Sequence, residues 1–210
     1  MTEKAKHYFV SAGMYIPDES DIGRLAEVSA DAMWEDNSSK YLLGRHISRE
    51  NFRRYMQLLF RAAFDQTFFI APDRNINGFL WVQPPPRSDI DKDHLLRAGI
   101  VGAIMHIGPD TVKRSVAYEE NCTSIMKKLC DLEKTWYICQ FAVSREYQCG
   151  GVGSAIIRPF LRYMDMVEQP CYLETHNDGN IPMYKHLGFD LVSTNHVPDG
   201  TYEQYAMLYE

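Results

Sequence analysis

Through the first part of the chain, apolar positions recur mainly at helical spacing. Ile22, Leu25, Ala26, Ser29, Ala32 and Met33 fall on one helical face, and Asp18 or Ser20 stands where a cap belongs. Phe52, Tyr55, Met56, Leu59, Ala63 and Phe64 repeat the pattern behind Ser48, a second cap. Ahead of both, Tyr8 to Met14 is a short apolar run that predicts a strand. Thr67 to Ala71 and Ile76 to Val82 predict a β-hairpin turned by Pro72-Asp73-Arg74-Asn75, with Asn77-Gly78 close behind. Pro84-Pro85-Pro86 stops the second of these strands in a surface excursion. His94 to Met105 predicts a helix that Gly108-Pro109 breaks. Pro109 then opens a longer helix with Val112, Val116, Cys122, Ile125, Met126, Leu129 and Leu132 mostly on one face.

From Trp136 the period changes. Trp136 to Val143 is a β-run, Ser154 to Met166 is helical, and Pro170 to Thr175 is a strand. Asn180 to Leu187 predicts a short helix and Phe189 to Thr194 a further strand. Pro198-Asp199-Gly200 is a turn, and Tyr202 to Leu208 returns as an antiparallel partner. The order β-α-α-β-β-α-α-β-α-β-α-β-β predicts an α/β protein with a mixed sheet and helices on both faces. Neither side of the proline run looks complete alone, so residues 1–210 are expected to form one domain.

Composition narrows the function classes. The chain has 210 residues, enough to bury roughly 70% of its unfolded surface without disulfide or metal support. A net charge of −6 argues against nucleic acid or an anionic membrane as partner; it suits a cationic substrate, but simple support of solubility accounts for it better. Five cysteines, an odd number with no C-x-x-C pair, are read as reduced thiols of a cytoplasmic protein, with no zinc site. Met1 to Val10 lacks the apolar run of a signal peptide, and no run approaches the ~20 apolar residues of a membrane span.

Ser144 to Ser154 follows a strand, starts a helix and carries Gly150, Gly151 and Gly153. Backbone N–H groups there can approach a ligand closely, and the helix adds its free donors and the positive end of its dipole. Together these suit a pyrophosphate. A Walker loop is excluded because Gly-Lys-Ser/Thr is absent. A dinucleotide fingerprint would need glycine where Ile156 stands, although Glu174 lies at a suitable distance, so spacing alone leaves that alternative open.

The whole string Gln148-x-x-Gly151-x-Gly153 resembles the coenzyme A loop of the GNAT family of N-acetyltransferases, Gln/Arg-x-x-Gly-x-Gly/Ala. Phe141-Ala142-Val143 resembles that family's fourth strand. Asn177-x-x-Asn180-x-x-x-Tyr184-x-x-x-Gly188-Phe189 resembles its other signature segment. The likeness is specific from Trp136 to Phe189. It departs where the family often has glycine in place of Cys149 and lysine or arginine in place of Gly150, so the loop lacks a side-chain cation.

The resemblance implies a GNAT-like fold in which the fourth and fifth strands splay to admit the pantetheine arm of acetyl-CoA. Phe141, Ala142 and Val143 would line that arm, with the Val143 N–H facing the oxyanion. Gln148, Cys149, Gly150, Gly151, Val152, Gly153 and Ser154 would hold the pyrophosphate, with Asn177 and Asn180 as further cofactor contacts. Tyr184 sits where the family carries its general acid. Strand alternation sets Tyr172, Glu174 and His176 on one face, which makes Glu174 and His176 the candidate bases. His106 and Glu119-Glu120 are candidates to line an acceptor pocket, although a solvated helix face is the better account of the two glutamates. The implied activity is acetyl transfer to an amine of a small molecule or peptide, with no metal. The alternative is a coenzyme A-binding module without catalysis. A homodimer is compatible with the sequence, and nothing in it fixes the oligomeric state.

Overall fold

The computed structural model describes residues 3–88 and 90–210. Its sheet has six strands: β1 (Phe68–Ile70), β2 (Gly78–Gln83), β3 (Trp136–Val143), β4 (Cys171–Thr175), β5 (Asp190–His196) and β6 (Glu203–Tyr209). They lie in the order β1-β2-β3-β4-β6-β5. Only β3 and β4 run parallel, because a helical crossover joins them, whereas short connections make β1–β2 and β5–β6 antiparallel hairpins.

Helices cover both faces. Over one lie α1 (Glu3–Ser11), α8 (Val152–Val167) and α9 (Ile181–His186), closing a core of Phe9, Leu80, Ile138, Ile156, Phe160, Leu173 and Phe189. Over the other lie α2 (Ile22–Met33), α3 (Asn37–Leu43), α4 (Arg49–Ala63), α5 (Lys92–Ala98), α6 (Ile100–Ile107) and α7 (Pro109–Leu129). Leu25, Phe52, Phe60, Phe69, Phe79 and Trp81 pack on that side. The expected mixed sheet between two helical layers is what the chain forms. Among the described residues, no helix is long and apolar enough to cross a membrane.

Three elements differ from the sequence reading. The strand expected at Tyr8 to Met14 is the end of α1. Ala5 and Phe9, one helical turn apart, are the residues buried there, while Val10 stays exposed. Gly13 (φ 79°) ends the helix, and the expected strand shrinks to one antiparallel bridge between Tyr15 and Ala71. The helix expected over His94 to Met105 is two helices, because Gly99 at φ 93° turns the chain between α5 and α6. Finally, α3 was not foreseen. Its seven residues are too few to show a period, and its start is fixed by Asp36, whose carboxylate accepts the Ser38 N–H at 3.1 Å.

The feature that positions the site is a bulge in β3. Trp81 pairs with Gln140 but Val82 pairs with Ile138, so Cys139 is an extra residue. Before it, Trp136 and Ile138 join the α8 core and Tyr137 faces the other way. After it the alternation is shifted: Gln140 accepts a hydrogen bond from Ser29 of α2 at 3.0 Å, and Phe141 turns to the α8 side. On the far edge, β3 pairs with β4 only at Trp136↔Cys171 and Tyr137↔Tyr172. Beyond Tyr137 the two strands part.

Because α1 carries core residues, truncating Phe9 tests whether it belongs to the folded unit. Its ring is fully buried, 5.2 Å from Tyr163 and 6.0 Å from Phe68. Phe9→Ala is expected to cost about 3–5 kcal/mol in urea unfolding. A loss below about 1 kcal/mol would mean the helix docks only loosely.

Candidate active site

The glycine-rich turn joins β3 to α8. After a short 3-10 turn (Arg145–Tyr147), the Gln148 side-chain amide donates back to the Val143 carbonyl at 3.0 Å. Gln148 therefore ties the turn to the strand end. Cys149 takes φ 59° and Gly151 φ 85°, both in the left-handed region. Gly151 caps α8 without a side-chain hydrogen bond, so the first-turn amides of Val152, Gly153 and Ser154 have no intrahelical acceptor. Gly153 is a close approach of another kind: a Cβ there would meet Phe141 Cζ at 3.2 Å, and the ring would have to give by a few tenths of an ångström. Arg145 supplies no cation to the turn. Its backbone N–H and Nε bond to Asp31, and its guanidinium pairs with Glu35. An anion held here is held by backbone donors and the helix dipole.

The gap between β3 and β4 opens beside this turn. The β3 edge beyond Tyr137 has no strand partner on the β4 side, so its backbone groups are available to an elongated ligand carrying amides. At the end of β4, Asn177 Oδ1 accepts the Gly179 N–H at 3.0 Å, and Asn180 Nδ2 donates to Thr175 Oγ1 at 3.2 Å. In this structure both asparagines shape the turn into α9. Tyr184 then projects from α9 into the α8-side core, with its ring packed edge-on against Phe189 at 5.7 Å. Burial, and secondly the charge of Asp36, raise its pKa, so the phenol is a proton donor at neutral pH. Its hydroxyl has no hydrogen-bond partner among the described residues.

Glu174 and His176 stand on the other face, as the alternation predicts. Burial drives the Glu174 carboxyl up to about 7, against the opposing charge of Arg87 and the nearby Tyr137 and Tyr172 hydroxyls. Its Oε1 is buried with no hydrogen-bond partner, and so is the Tyr172 hydroxyl. His176 moves the opposite way: burial pushes it down to about 4, so it is neutral at pH 7. Its Nε2 lies 3.2 Å from the Tyr118 hydroxyl, and its carbonyl accepts from Asn37 Nδ2 at 3.1 Å. The two candidate bases read from the sequence, with Glu174 ahead of His176, are thus separated by their surroundings.

Arg87 was missed by the sequence reading. It follows the proline run that looked like a surface excursion, yet its side chain is only 4% exposed. Its guanidinium lies 4.3 Å over the Tyr137 ring and 3.0 Å from Glu119 Oε2. The remaining signal was an arginine four residues beyond a fully buried strand. Glu119 is therefore an ion-pair partner rather than part of a purely solvated face, and both it and Glu120 line the neighbouring cavity. His106 is exposed and lies outside that lining.

That cavity, about 770 Å³, lies over Trp81, Gln83, Tyr137 and Cys139 of the sheet. Its walls come from α4 (Phe52, Tyr55, Met56, Leu59), from α5 and α6 (Leu95, Ile100, Ile107) and from α7 (Val112, Tyr118, Glu119). The proton donor Tyr184 and the carboxyl Glu174 thus stand on opposite faces of the sheet, where β3 and β4 separate. Among the described residues, no group of three His, Cys, Asp or Glu side chains is placed to hold a metal ion.

Comparison with known proteins agrees with this fold. The structure resembles that of the histone acetyltransferase HPA2 and related acetyltransferase from Corynebacterium glutamicum, with a TM-score of 0.63, 15% identity and 93% of each chain covered. It also resembles the ribosomal-protein-S18-alanine N-acetyltransferase from Escherichia coli (TM-score 0.50, 13% identity, 93% of this chain and 91% of that one). A third likeness is to the PaiA N-acetyltransferase from Thermoplasma acidophilum in complex with coenzyme A (TM-score 0.50, 12% identity, 94% and 98%). At these identities the likeness is one of fold. The family model of the Acetyltransferase (GNAT) family matches residues 31–189, which hold the turn, the splayed strands, Glu174 and Tyr184, and the chain belongs to that family.

Proposed function

We propose that the protein is a cytoplasmic, single-domain acetyl-CoA:amine N-acetyltransferase in which Glu174 is the general base and Tyr184 the general acid. The observation that carries this reading is the buried Glu174 carboxyl, poised at about 7, beside the gap between β3 and β4. A coenzyme A complex of one structural neighbour and the N-acetyltransferase name of another support it. So does a sequence likeness to puromycin N-acetyltransferase over Leu173-Glu174-Thr175, Asn180 to Tyr184, Leu187-Gly188-Phe189 and Val197 to Gly200, which favours a small-molecule or peptide amine.

The residues fit the co-substrate. The pyrophosphate would rest on the first-turn amides of α8, and the pantetheine amides would pair with the free edge of β3 along Phe141 and Val143. Charge neutralisation by backbone alone, without a cation at position 149 or 150, predicts weaker holding than in members with a lysine or arginine there. Acetyl-CoA supplies an activated thioester carbonyl, which the Val143 N–H would polarise.

An amine of lysine-like pKa is neutral in only about one molecule in 2,500 at pH 7. Glu174, approached from the cavity face, would take the proton as the nitrogen forms its bond to the carbonyl carbon. The carbon–sulfur bond then breaks, and the Tyr184 hydroxyl, approached from the α9 face, would stabilise the departing thiolate and give it a proton. From the ammonium form the nitrogen loses one proton before attack and one after it, the sulfur gains one from Tyr184, and Glu174 and Tyr184 reset through solvent, so amide, free coenzyme A and one released proton balance. His176, neutral at pH 7, would orient Tyr118 rather than carry the proton.

Two measurements test the roles. Tyr184→Phe is expected to lower kcat by roughly 10²-fold or more while leaving the acetyl-CoA Kd within about twofold. Unchanged turnover on every accepted amine would remove Tyr184 from the chemistry and favour a binding module. For Glu174, kcat/KM should rise with pH through an apparent pKa near 7, well below the ~10.4 of the free amine, and Glu174→Gln should erase that limb. The same group affects stability. The unfolded chain releases this proton near 4.5 and the folded chain near 7, so stability should fall as pH rises between them and level off above. Glu174→Gln should flatten that slope. A slope retained in the variant would show that the carboxyl is not the titrating group.

A further inference from the structure

The cavity over Arg87 and Tyr137 has two chemically different ends. Along α4 and under α6 its walls are apolar: Phe52, Met56, Leu59, Leu95, Ile100 and Val112. At the sheet the polar groups gather. Arg87 and Glu119 are ion-paired there, Tyr118 and Tyr137 line the same end, and the buried Glu174, outside the lining itself, interacts electrostatically with Arg87, Glu119 and Tyr137. This end therefore offers carboxyl and phenol oxygens to an amine nitrogen.

We propose that the acceptor is a monoamine on a bulky apolar body, an arylalkyl- or long alkylamine. Its hydrocarbon part would fill the space between α4, α6 and α7, with its nitrogen at the Arg87, Tyr137 and Glu174 end. The inference rests on the acetyltransferase reading and names its substrate class. About 770 Å³ lies within the roughly 300–1,000 Å³ that sites for drug-sized ligands occupy. A polyamine or aminoglycoside would fit poorly. It would set extra ammonium or hydroxyl groups against Phe52, Met56 and Ile100, where they would lose water and find no partner. Of the other polar side chains in the lining, Glu120, Ser124 and Lys127 are exposed at the outer rim, while the buried Thr67, Gln83 and Gln140 and the Tyr55–Ser115 pair already have hydrogen-bond partners within the protein.

The test compares 3-phenylpropylamine and hexylamine with spermidine and kanamycin, at fixed acetyl-CoA, by thiol release. The apolar monoamines are expected to be preferred by roughly 100-fold in kcat/KM. Leu59→Asp, partly exposed on the cavity wall, should lower kcat/KM for 3-phenylpropylamine about tenfold or more and leave the acetyl-CoA Kd unchanged. Leu59→Trp, which fills the same space without a charge, should do likewise, and thermal melts of both variants check folding. Preference for spermidine or kanamycin overturns the proposal. Calorimetry of 3-phenylpropylamine against the intact chain separates the two readings. Binding that Leu59→Asp abolishes, with no amine acetylated, supports the apolar site and sinks the transferase reading. Acetylation of amines with no preference for apolar bodies sinks the proposal alone.

Discussion

Strands β3 and β4 share two residue pairs and then part, and the rest of the molecule is arranged around that separation. The cause is local. One extra residue, Cys139, sits in β3 opposite the junction of Trp81 and Val82, and a bulge bends its strand and increases its twist. A parallel neighbour has only slanted hydrogen bonds with which to follow such a bend, so β4 continues straight to its partner β6 instead. Five consecutive pairs hold β4 to β6, which fixes β4 while β3 turns away. The resulting opening in a sheet otherwise covered on both faces gives a ligand with amide groups a strand edge to pair with.

The bulge has a second effect, on which side chains face where. Without it, strict alternation would send Cys139 and Gln140 to opposite faces; with it, both look toward α2 and the cavity, and Phe141 is released to the α8 side against Gly153. The opening thus has a cavity on one side and the α8 and α9 core on the other. A carboxyl and a phenol placed on opposite faces can serve the attacking and leaving atoms of one carbonyl without competing for the same proton. That separation is a consequence of β4 alternation, which sends Glu174 one way, and of α9 folding back over the opposite face, which brings Tyr184 the other way.

The parts legible in the sequence are those set by local chemistry. The turn from Gln148 to Gly153, the alternation of Tyr172, Glu174 and His176, and the cap at Ser48 each depend on a few neighbouring residues. The parts hidden depend on contacts distant in sequence. Phe9 and Ala5 are helical because Phe160 and Tyr163 wait for them, which no reading of Tyr8 to Met14 could show. Arg87 looked like a loop residue because its partners, Tyr137 and Glu119, lie on elements far along the chain. Gly99 was an isolated glycine in a helical pattern, and only its φ of 93° shows that it divides the helix. Cys149 reads as a small substitution in the sequence. In the fold it occupies the left-handed region at φ 59°, where a glycine would sit without strain, so the departure from the family pattern has a conformational as well as an electrostatic side.

The placement of Arg87 explains why Glu174 can be poised near neutrality at all. A buried carboxylate beside a free guanidinium would be held well below its ordinary range, and a carboxyl with no cation nearby would be driven far above it. Arg87 does neither, because its own charge is divided. Its guanidinium is paired with Glu119 and spread over the face of Tyr137, which leaves part of its attraction for Glu174. Glu119 also acts directly, its negative charge adding to the rise. Burial then dominates, moderated rather than cancelled, and the carboxyl settles at about 7. The Arg87–Glu119 pair therefore helps set where Glu174 titrates. A carboxyl that titrates near neutral pH is here a property of four side chains on three elements and a loop, assembled where β3 leaves β4.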